Sequence, residues 1–592
     1  MRSVLMVSCV AATLCFGTAS AESDIPTEWL TPAEIADFRS TPDYDETLAF
    51  IRRLSEKWDR IQLSFFGRSA AGRAMPLVVV SKDGFTPGTI GDDRARVLVQ
   101  NGIHAGEIDG KDASLMILRD LALGRHHELL DGIVLLIVPI YNVDGHERTS
   151  RFNRPNQNGP EEGMGFRTTA DGRDLNRDHL KLVTPEARHA IALFNRWQPH
   201  LHVDNHVTDG VDQDWLLTYS WVEAPQVPPP IDAWLKSEMP SVLEETAGLG
   251  HPIGPYVSLV EGTDPLQGID TSVQEPRYAT GYYPLRNCPS LLVENHSLKP
   301  YRSRVLANRD FMLALFRRIA RDPRALIAAV AASGHYTTNL GRKDAKPSNV
   351  VLRYRRAETD ETVHLPIHEW YVAESTVTGA PMLQYQESTK ETEIPWYHRT
   401  EPEVSLARPR GYLVLPGWPV IEQRLVDHDV RFHRLERAQR LDVETIRISN
   451  PQGPRSRTSY QGLTRIAVDV ERRTETRELP SGTIWIPADQ PNFEVAVQLL
   501  EPEAPDSLVS WGMLSQTMEW KEHIEGRVLE KLARKMLEED DALAREWKQA
   551  LEDEAFAGDT FARYAWWYQR TPYWDETVGL MPVMRLMTAP TF

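Results

Sequence analysis

Residues 97–123 read VLVQNGIHAGEIDGKDASLMILRDLAL, and this stretch decides the architecture of the chain around it. Val97–Gln100 is a β-branched run of the kind that forms a buried strand. Gly102, Gly106 and Gly110 punctuate a loop, and Asp112–Leu123 has helical periodicity. The alternation recurs on either side: Met75–Val80, Ile133–Ile140, His200–His206 and Leu291–Glu294 read as buried strands, and Pro185–Trp197 reads as a further helix. Such strands separated by helices predict an α/β fold, with a mixed, mostly parallel central sheet flanked by helices. Ahead of them Glu22–Arg60 reads as helical, with a capping-box form at Thr31-Pro32-Ala33-Glu34 and Leu48, Ile51, Leu54 and Trp58 on one face.

The pattern fades after about Arg321. Short β-prone pieces, Val350–Tyr354, Gly411–Leu415, Leu463–Val468 and Gly482–Ile486, predict a β-rich region, and Met518–Met536 then reads as an amphipathic helix before an acidic run. The predicted organisation is a signal peptide at 1–21, an α/β catalytic domain at 22–330, a β-rich accessory region at 331–500 and a helical region at 501–592.

Composition narrows the function classes. The 592 residues include 66 basic and 84 acidic side chains, giving a net charge of −18, and 41% hydrophobic content excludes a disordered or fibrous chain. No block of lysine or arginine suggests nucleic acid or an anionic membrane as partner, whereas a peptide or protein substrate is compatible. Arg2, the apolar run Val4–Phe16 and the small residues ending in Ala19-Ser20-Ala21 read as a secretory signal, which predicts a secreted or periplasmic protein. No later stretch approaches about 18 apolar residues, so no membrane anchor is expected. Two of the three cysteines, Cys9 and Cys15, would leave with the signal; Cys288 alone permits neither an intramolecular disulfide nor a cysteine-based zinc site.

Ligands of open α/β sheets bind beyond the carboxyl ends of the strands, so polar residues there are the first candidates for a site. His104 and Glu107 follow directly after Val97–Gln100, and a His and a Glu three apart on a turn can face one metal ion. The spacing also occurs at His398/Glu401 and His433/Glu436, but there it lacks the strand and glycine turn and encloses an arginine, whose charge disfavours a dication. Two histidines and a glutamate form a recognised catalytic zinc set with one open position. In His202-Val203-Asp204-Asn205-His206 the third ligand is best placed at His206, nearest the strand's carboxyl end. His202, two pleats deeper, reads as a hydrogen-bonded interior histidine, and Asp204 as a partner behind a ligand. Glu294 ends a very apolar strand in a carboxylate, which calls for either a role as a base or a salt-bridge partner.

Taken together these residues resemble the zinc metallocarboxypeptidases of the carboxypeptidase A type, and the large bacterial members with a long C-terminal extension. The likeness rests on Gly67-Arg68-Ser69 with Gly72-Arg73, His104-x-x-Glu107, the Asn142-x-Asp144-Gly145 turn, Arg151-x-x-Arg154, Asn176-Arg177, His206 and Glu294 in that order, over roughly Tyr44–Arg321. The resemblance implies one Zn²⁺ per chain on His104, Glu107 and His206, Glu294 as general base, and Arg151 stabilising an oxyanion. Arg154 would line the substrate channel, and Asn176 and Arg177 would hold a terminal carboxylate. It also implies a tyrosine closing over the substrate, for which Tyr278, Tyr282 and Tyr283 are candidates. Competing expectations are a zinc amidase of cell-wall peptides or acylated amino acids, and an inactive binding protein for peptide or glycan.

Overall fold

The computed structural model describes residues 25–91, 93–208, 210–453 and 459–588. The signal-peptide reading of 1–21, with Cys9 and Cys15, lies outside the described residues. Among those residues, no helix is long and apolar enough to cross a membrane.

Nine strands build or border the first half: β1 (Ile61–Arg68), β2 (Ala74–Val80), β3 (Ala95–Asn101), β4 (Ile133–Val138), β5 (Leu201–Thr208), β6 (Leu217–Ser220), β7 (Ile253–Pro255), β8 (Ile269–Asp270) and β9 (Ser290–His296). All but β8 join one eight-stranded sheet of order β1-β2-β4-β3-β5-β9-β6-β7. Its centre, β4-β3-β5-β9, is wholly parallel, while β2 and β6 run antiparallel to that centre. These central strands are buried on both faces, in keeping with the apolar runs of β4 and β9, while β5 buries polar side chains as well. Helices Tyr44–Lys57, Asp109–Ala122, Pro229–Gly248 and Tyr301–Arg321 supply the apolar cover of one core, and Pro185–Trp197 packs on the opposite side. The α/β expectation therefore holds, with a mixed and mostly parallel sheet.

The N-terminal helical reading divides in two. Thr31 and Glu34 do form a capping box, but that helix is the single turn Pro32–Ile35, ended by positive φ at Asp37 and Phe38. A second capping box, Asp43 with Glu46, starts Tyr44–Lys57, which buries Leu48, Ile51 and Leu54.

The second half is β-rich: β10 (Asn349–Arg356), β11 (Thr362–Glu374), β12 (Pro381–Tyr397), β13 (Thr400–Ala407), β14 (Gly411–Val414), β15 (His433–Arg434), β16 (Gln439–Gln452), β17 (Ala467–Leu479), β18 (Ile484–Pro487) and β19 (Leu580–Leu586). Six of them form an antiparallel sheet of order β15-β18-β14-β19-β16-β17. The hairpin β11–β12 is joined at its base to β8, so the two halves share hydrogen bonds. They also share a core: Ala187, Ile191 and Phe194 of helix Pro185–Trp197 belong to one apolar cluster with Tyr412, Ile446, Ile484 and Val583 of the second sheet. Helices follow, the first beginning at Gly526 rather than Met518, but the region expected to be helical ends in β19, which returns to the second sheet. The backbone of Ile524 is taken by the Tyr564 hydroxyl, at 2.8 and 2.7 Å, and Trp520 stacks on Phe561, which holds the preceding segment out of the helix.

One buried arginine locks the loop ends around the sheet's carboxyl edge. Arg304 donates to Asp109 at 2.7 Å and to the carbonyls of Asn158 and Ser297 at 2.7 and 3.1 Å. Truncation would leave a buried carboxylate and several carbonyls unpaired. Arg304→Met is therefore expected to destabilise the protein by about 3–5 kcal/mol, read as a lowered urea midpoint; an unchanged midpoint would show the cluster to be dispensable.

Candidate metal centre

The site grows out of the end of β3. The chain turns at Gly102, with φ of +66°, and closes a tight turn in which the Glu107 amide donates to the His104 carbonyl at 2.9 Å. Gly106 inside this turn is pressed against its neighbours, since a Cβ there would lie 2.6 Å from the Gly165 carbonyl oxygen and 2.8 Å from Arg154 Cγ. The turn aims His104 and Glu107 at His206, near the end of β5, and their ligand-capable atoms all lie within 4.8 Å of one another. Glu107 sits between the rings, Oε1 3.1 Å from His104 Nδ1 and Oε2 2.8 Å from His206 Nδ1. Behind the rings, Asp174 Oδ1 is 3.0 Å from His104 Nε2, and Asp204 Oδ2 is 2.9 Å from His206 Nε2. Each histidine thus has a carboxylate on its far nitrogen, which orients the ring and makes it a better donor. His104 Nδ1 is buried without a hydrogen bond. The donor set fits a zinc ion, with the nitrogen, carboxylate and supporting partners that such sites use.

Buried charge dominates the electrostatics. Burial pushes the Glu107 carboxyl up, but His104 and Arg154 together hold it well below the usual carboxylate range. The same balance, set by His104, Arg167 and Arg177, keeps Asp174 ionised. Burial opposes a charge on His206, yet Asp204, Glu107 and Glu294 raise its pKa well above the ordinary value. Glu294 behaves differently. The parallel register of β5 and β9 places it beside His206. Burial pushes its carboxyl up to about 8, with Glu107 adding to the rise and His206 and Arg154 opposing it. Its Oε2 has no hydrogen-bond partner among the described residues. A bound dication would favour the carboxylate form.

These residues line a cleft of about 640 Å³ that also receives Asn176, Arg177 and Tyr278. Arg154 reaches the centre, with Nη1 2.9 Å from Glu107 Oε1 and Nη2 donating to the Val207 carbonyl at 2.8 Å. Arg151 does not: it is exposed and lies against the Phe152 ring, outside the residues that line the cleft. Arg154 sits at a positive φ of +54°. His202 is also absent from the lining, bonded to Ser290 Oγ at 2.8 Å and packed on Tyr283. Of the three candidate tyrosines, Tyr278 lines the cleft, 4.6 Å from the Arg177 guanidinium, whereas Tyr282 and Tyr283 are wholly buried. The other two His-x-x-Glu pairs do not converge: His398 contacts Glu223 and Glu361 while Glu401 pairs with Arg355, and His433 and Glu436 are exposed. Sequence reasoning missed Asp174 as the partner of His104. It also missed Arg167, which pairs with Asp174 at 3.0 Å in the same cleft. The available signal was Asp174's place in the run Asp174-Leu175-Asn176-Arg177.

Residues 47–222 match the family model described as zinc carboxypeptidase. Over that stretch the chain is similar to the zinc carboxypeptidases. Carboxypeptidase 2 of Trichophyton rubrum is 25% identical over 502 residues, covering 81% of this chain and 85% of its own length. Probable carboxypeptidase 2 of Arthroderma benhamiae is likewise 25% identical over 502 residues, covering 81% of this chain and 87% of its own. Among solved structures, the metallo-carboxypeptidase from Burkholderia cenocepacia is 16% identical with a TM-score of 0.36, covering 47% of this chain and 69% of that one. The family turn Asn142-x-Asp144-Gly145 is a frame here: Asp144 holds the Ser69–Arg73 turn through Ser69 Oγ at 2.8 Å and Arg73 Nη1 at 3.0 Å.

The elevated Glu294 pKa has a sign that can be checked on metal-free protein. The folded chain keeps this proton up to about pH 8, whereas the ordinary value is 4.5, so ionisation favours the unfolded chain increasingly between those limits. Relative to Glu294→Gln, the metal-free protein is expected to lose up to about 1.4 kcal/mol per pH unit across that window. Thermal midpoints of the two proteins should diverge from pH 5 to pH 8; a constant gap would contradict the shift.

Proposed function

We propose that this chain is a zinc-dependent carboxypeptidase that removes the C-terminal residue of peptides, with His104, Glu107 and His206 as the zinc ligands. The observation that carries the reading is the register of β5 and β9, which sets Glu294 beside His206 in the same cleft as the Asn176-Arg177 pair. A zinc ion held there would polarise the scissile carbonyl and lower the pKa of the attacking water.

The remaining work falls to side chains of this chain. Glu294 lines the cleft beside His206, so it accepts the proton of the attacking water and returns it to the leaving amine. Arg154, fixed by Glu107, Gln157 and the Val207 carbonyl, takes the oxyanion-stabilising role that the family resemblance had suggested for Arg151. Asn176 and Arg177 offer amide and guanidinium donors to the substrate's terminal carboxylate, an interaction suited to the planar fork of arginine. Asn176 is held by accepting from the Ala279 amide at 3.0 Å through its own carbonyl, which leaves its NH₂ for the ligand. Tyr278, stacked on Arg177, is placed to cover a bound residue. The N-terminal segment supports export, with cleavage after Ala21.

Purified protein is expected to bind about one zinc per chain, the stoichiometry of a single such site. Glu294→Gln should keep the metal and lose about 10²–10⁴-fold in kcat, while His206→Ala should lose the metal itself, as read by elemental analysis. Blocked dipeptides with a free carboxylate should be cleaved and their C-terminal amides spared. Equal turnover of acid and amide would sink the carboxylate clamp and favour the amidase reading, and a zinc-free, inactive protein would favour the binding module. Sequencing the exported protein should find Glu22 as its first residue; retention of residues 1–21 would refute export by this signal.

A further inference from the structure

We propose that the C-terminal half completes the carboxylate clamp, with Tyr460 and Gln461 as positioning residues that act through Arg177 and Asp174. The inference rests on the clamp reading above. Arg177 has a long side chain that would lose much rotamer freedom on gripping a ligand, so a clamp built on it gains from being held in place beforehand. Part of that hold comes from nearby, through its own Nη1 to the Asn176 carbonyl at 2.7 Å and the ring of Tyr278. The rest comes from far along the chain. Arg177 Nε donates to the Tyr460 hydroxyl at 3.1 Å, and the Asp174 amide donates to Gln461 Oε1 at 2.8 Å.

The turn that carries these two residues is itself well anchored. Tyr460 and Leu463 exchange backbone hydrogen bonds of 2.9 and 3.1 Å, and the Tyr460 ring stacks on Trp511 at 5.8 Å, with the planes 10° apart. Trp511 is buried and has the Lys181 ammonium 4.3 Å from its ring, a contact back to the catalytic sheet's side of the molecule. Gly462, with φ of +74°, lets the turn approach Arg173, since a Cβ there would sit 3.3 Å from the guanidinium. On the other side of the clamp, buried Asp506 accepts from the Arg277 amide at 2.9 Å and its Nη1 at 3.1 Å, fixing the residue before Tyr278. The C-terminal half therefore grips both the Asp174–Arg177 turn and the approach to Tyr278. This gives it a part in selecting a free carboxylate.

Tyr460→Phe in the full-length zinc enzyme tests this, because it keeps the ring on Trp511 and removes only the oxygen that Arg177 uses. The expected result is a KM for a blocked dipeptide acid raised roughly tenfold, the loss of one hydrogen bond to a charged group. The kcat should stay within about twofold, with zinc content and thermal midpoint unchanged, and the acid-over-amide ratio of kcat/KM should fall by the same factor. Gln461→Ala should move KM in the same direction. An unchanged KM in both variants overturns the inference while leaving the clamp intact. A fall in kcat accompanied by lost zinc or a lowered midpoint in Tyr460→Phe also overturns it, by showing a merely structural residue. If the unsubstituted enzyme cleaves acid and amide equally, the clamp itself fails and the inference with it.

Discussion

The chemistry of this protein depends on the register in which β3, β5 and β9 lie side by side. Gln100 pairs with Asp204, Asn101 with Asn205 and His206 with Glu294, so a slip of one residue would turn His206 and Glu294 to opposite faces. Apolar packing alone would fix this weakly, because strands buried on both faces carry similar residues on each. Buried amides do it instead. Asn205 donates to Asn101 at 2.9 Å and accepts from Asn308 at 3.0 Å, Gln100 donates to Asp204 at 2.9 Å, and Asn295 donates to the His206 carbonyl at 3.0 Å. In any other register these groups would be buried unpaired, at a cost of about 1–3 kcal/mol each.

Charge is handled the same way. The chain carries a net −18, yet the cleft collects Arg154, Arg167 and Arg177 around the carboxylates of Glu107 and Asp174. Removing any one of these ions would strand a partner out of water, so the cluster favours one arrangement of loops over its alternatives. Glu294 is the exception, a carboxylate beside the cluster with an oxygen that no described residue satisfies. An unpaired acid is costly in a core and useful in a base, and its position at the sheet's rim lets both statements be true.

How much of this was legible in the sequence varies with the kind of signal. The central strands β3, β4 and β9 were readable from their apolar runs, and Glu294 stood out as a polar residue at the end of one; β5 is richer in polar residues, and His206 stood out by its place near that strand's carboxyl end. Where side chains are aimed by a loop, periodicity says nothing: Arg151 and Arg154 look alike in sequence, yet only Arg154 reaches Glu107 and the Val207 carbonyl while Arg151 lies exposed against Phe152. The role of Asp174 behind His104, and that of Tyr460 beside Arg177, arise from loops folding across the sheet's edge, the latter over 283 residues of chain. The hairpins β11–β12 and β16–β17 were largely invisible because much of their length is exposed and built from charged and polar residues, with only short alternations such as Leu441-Asp442-Val443 to mark them.

The position of β19 has a consequence for the order in which the molecule is made. It lies in the middle of the second sheet, between β14 and β16, although it is the last strand in the chain. The eight-stranded sheet can assemble as soon as residue 296 has been synthesised, but β14 and β16 have no partner between them until some 290 residues later. Such long-range pairing is slow, and it leaves strand edges open in the meantime. The half that carries His104, Glu107 and His206 thus has time to form well before the sheet whose β16–β17 connection brings Tyr460 to Arg177 and Gln461 to Asp174.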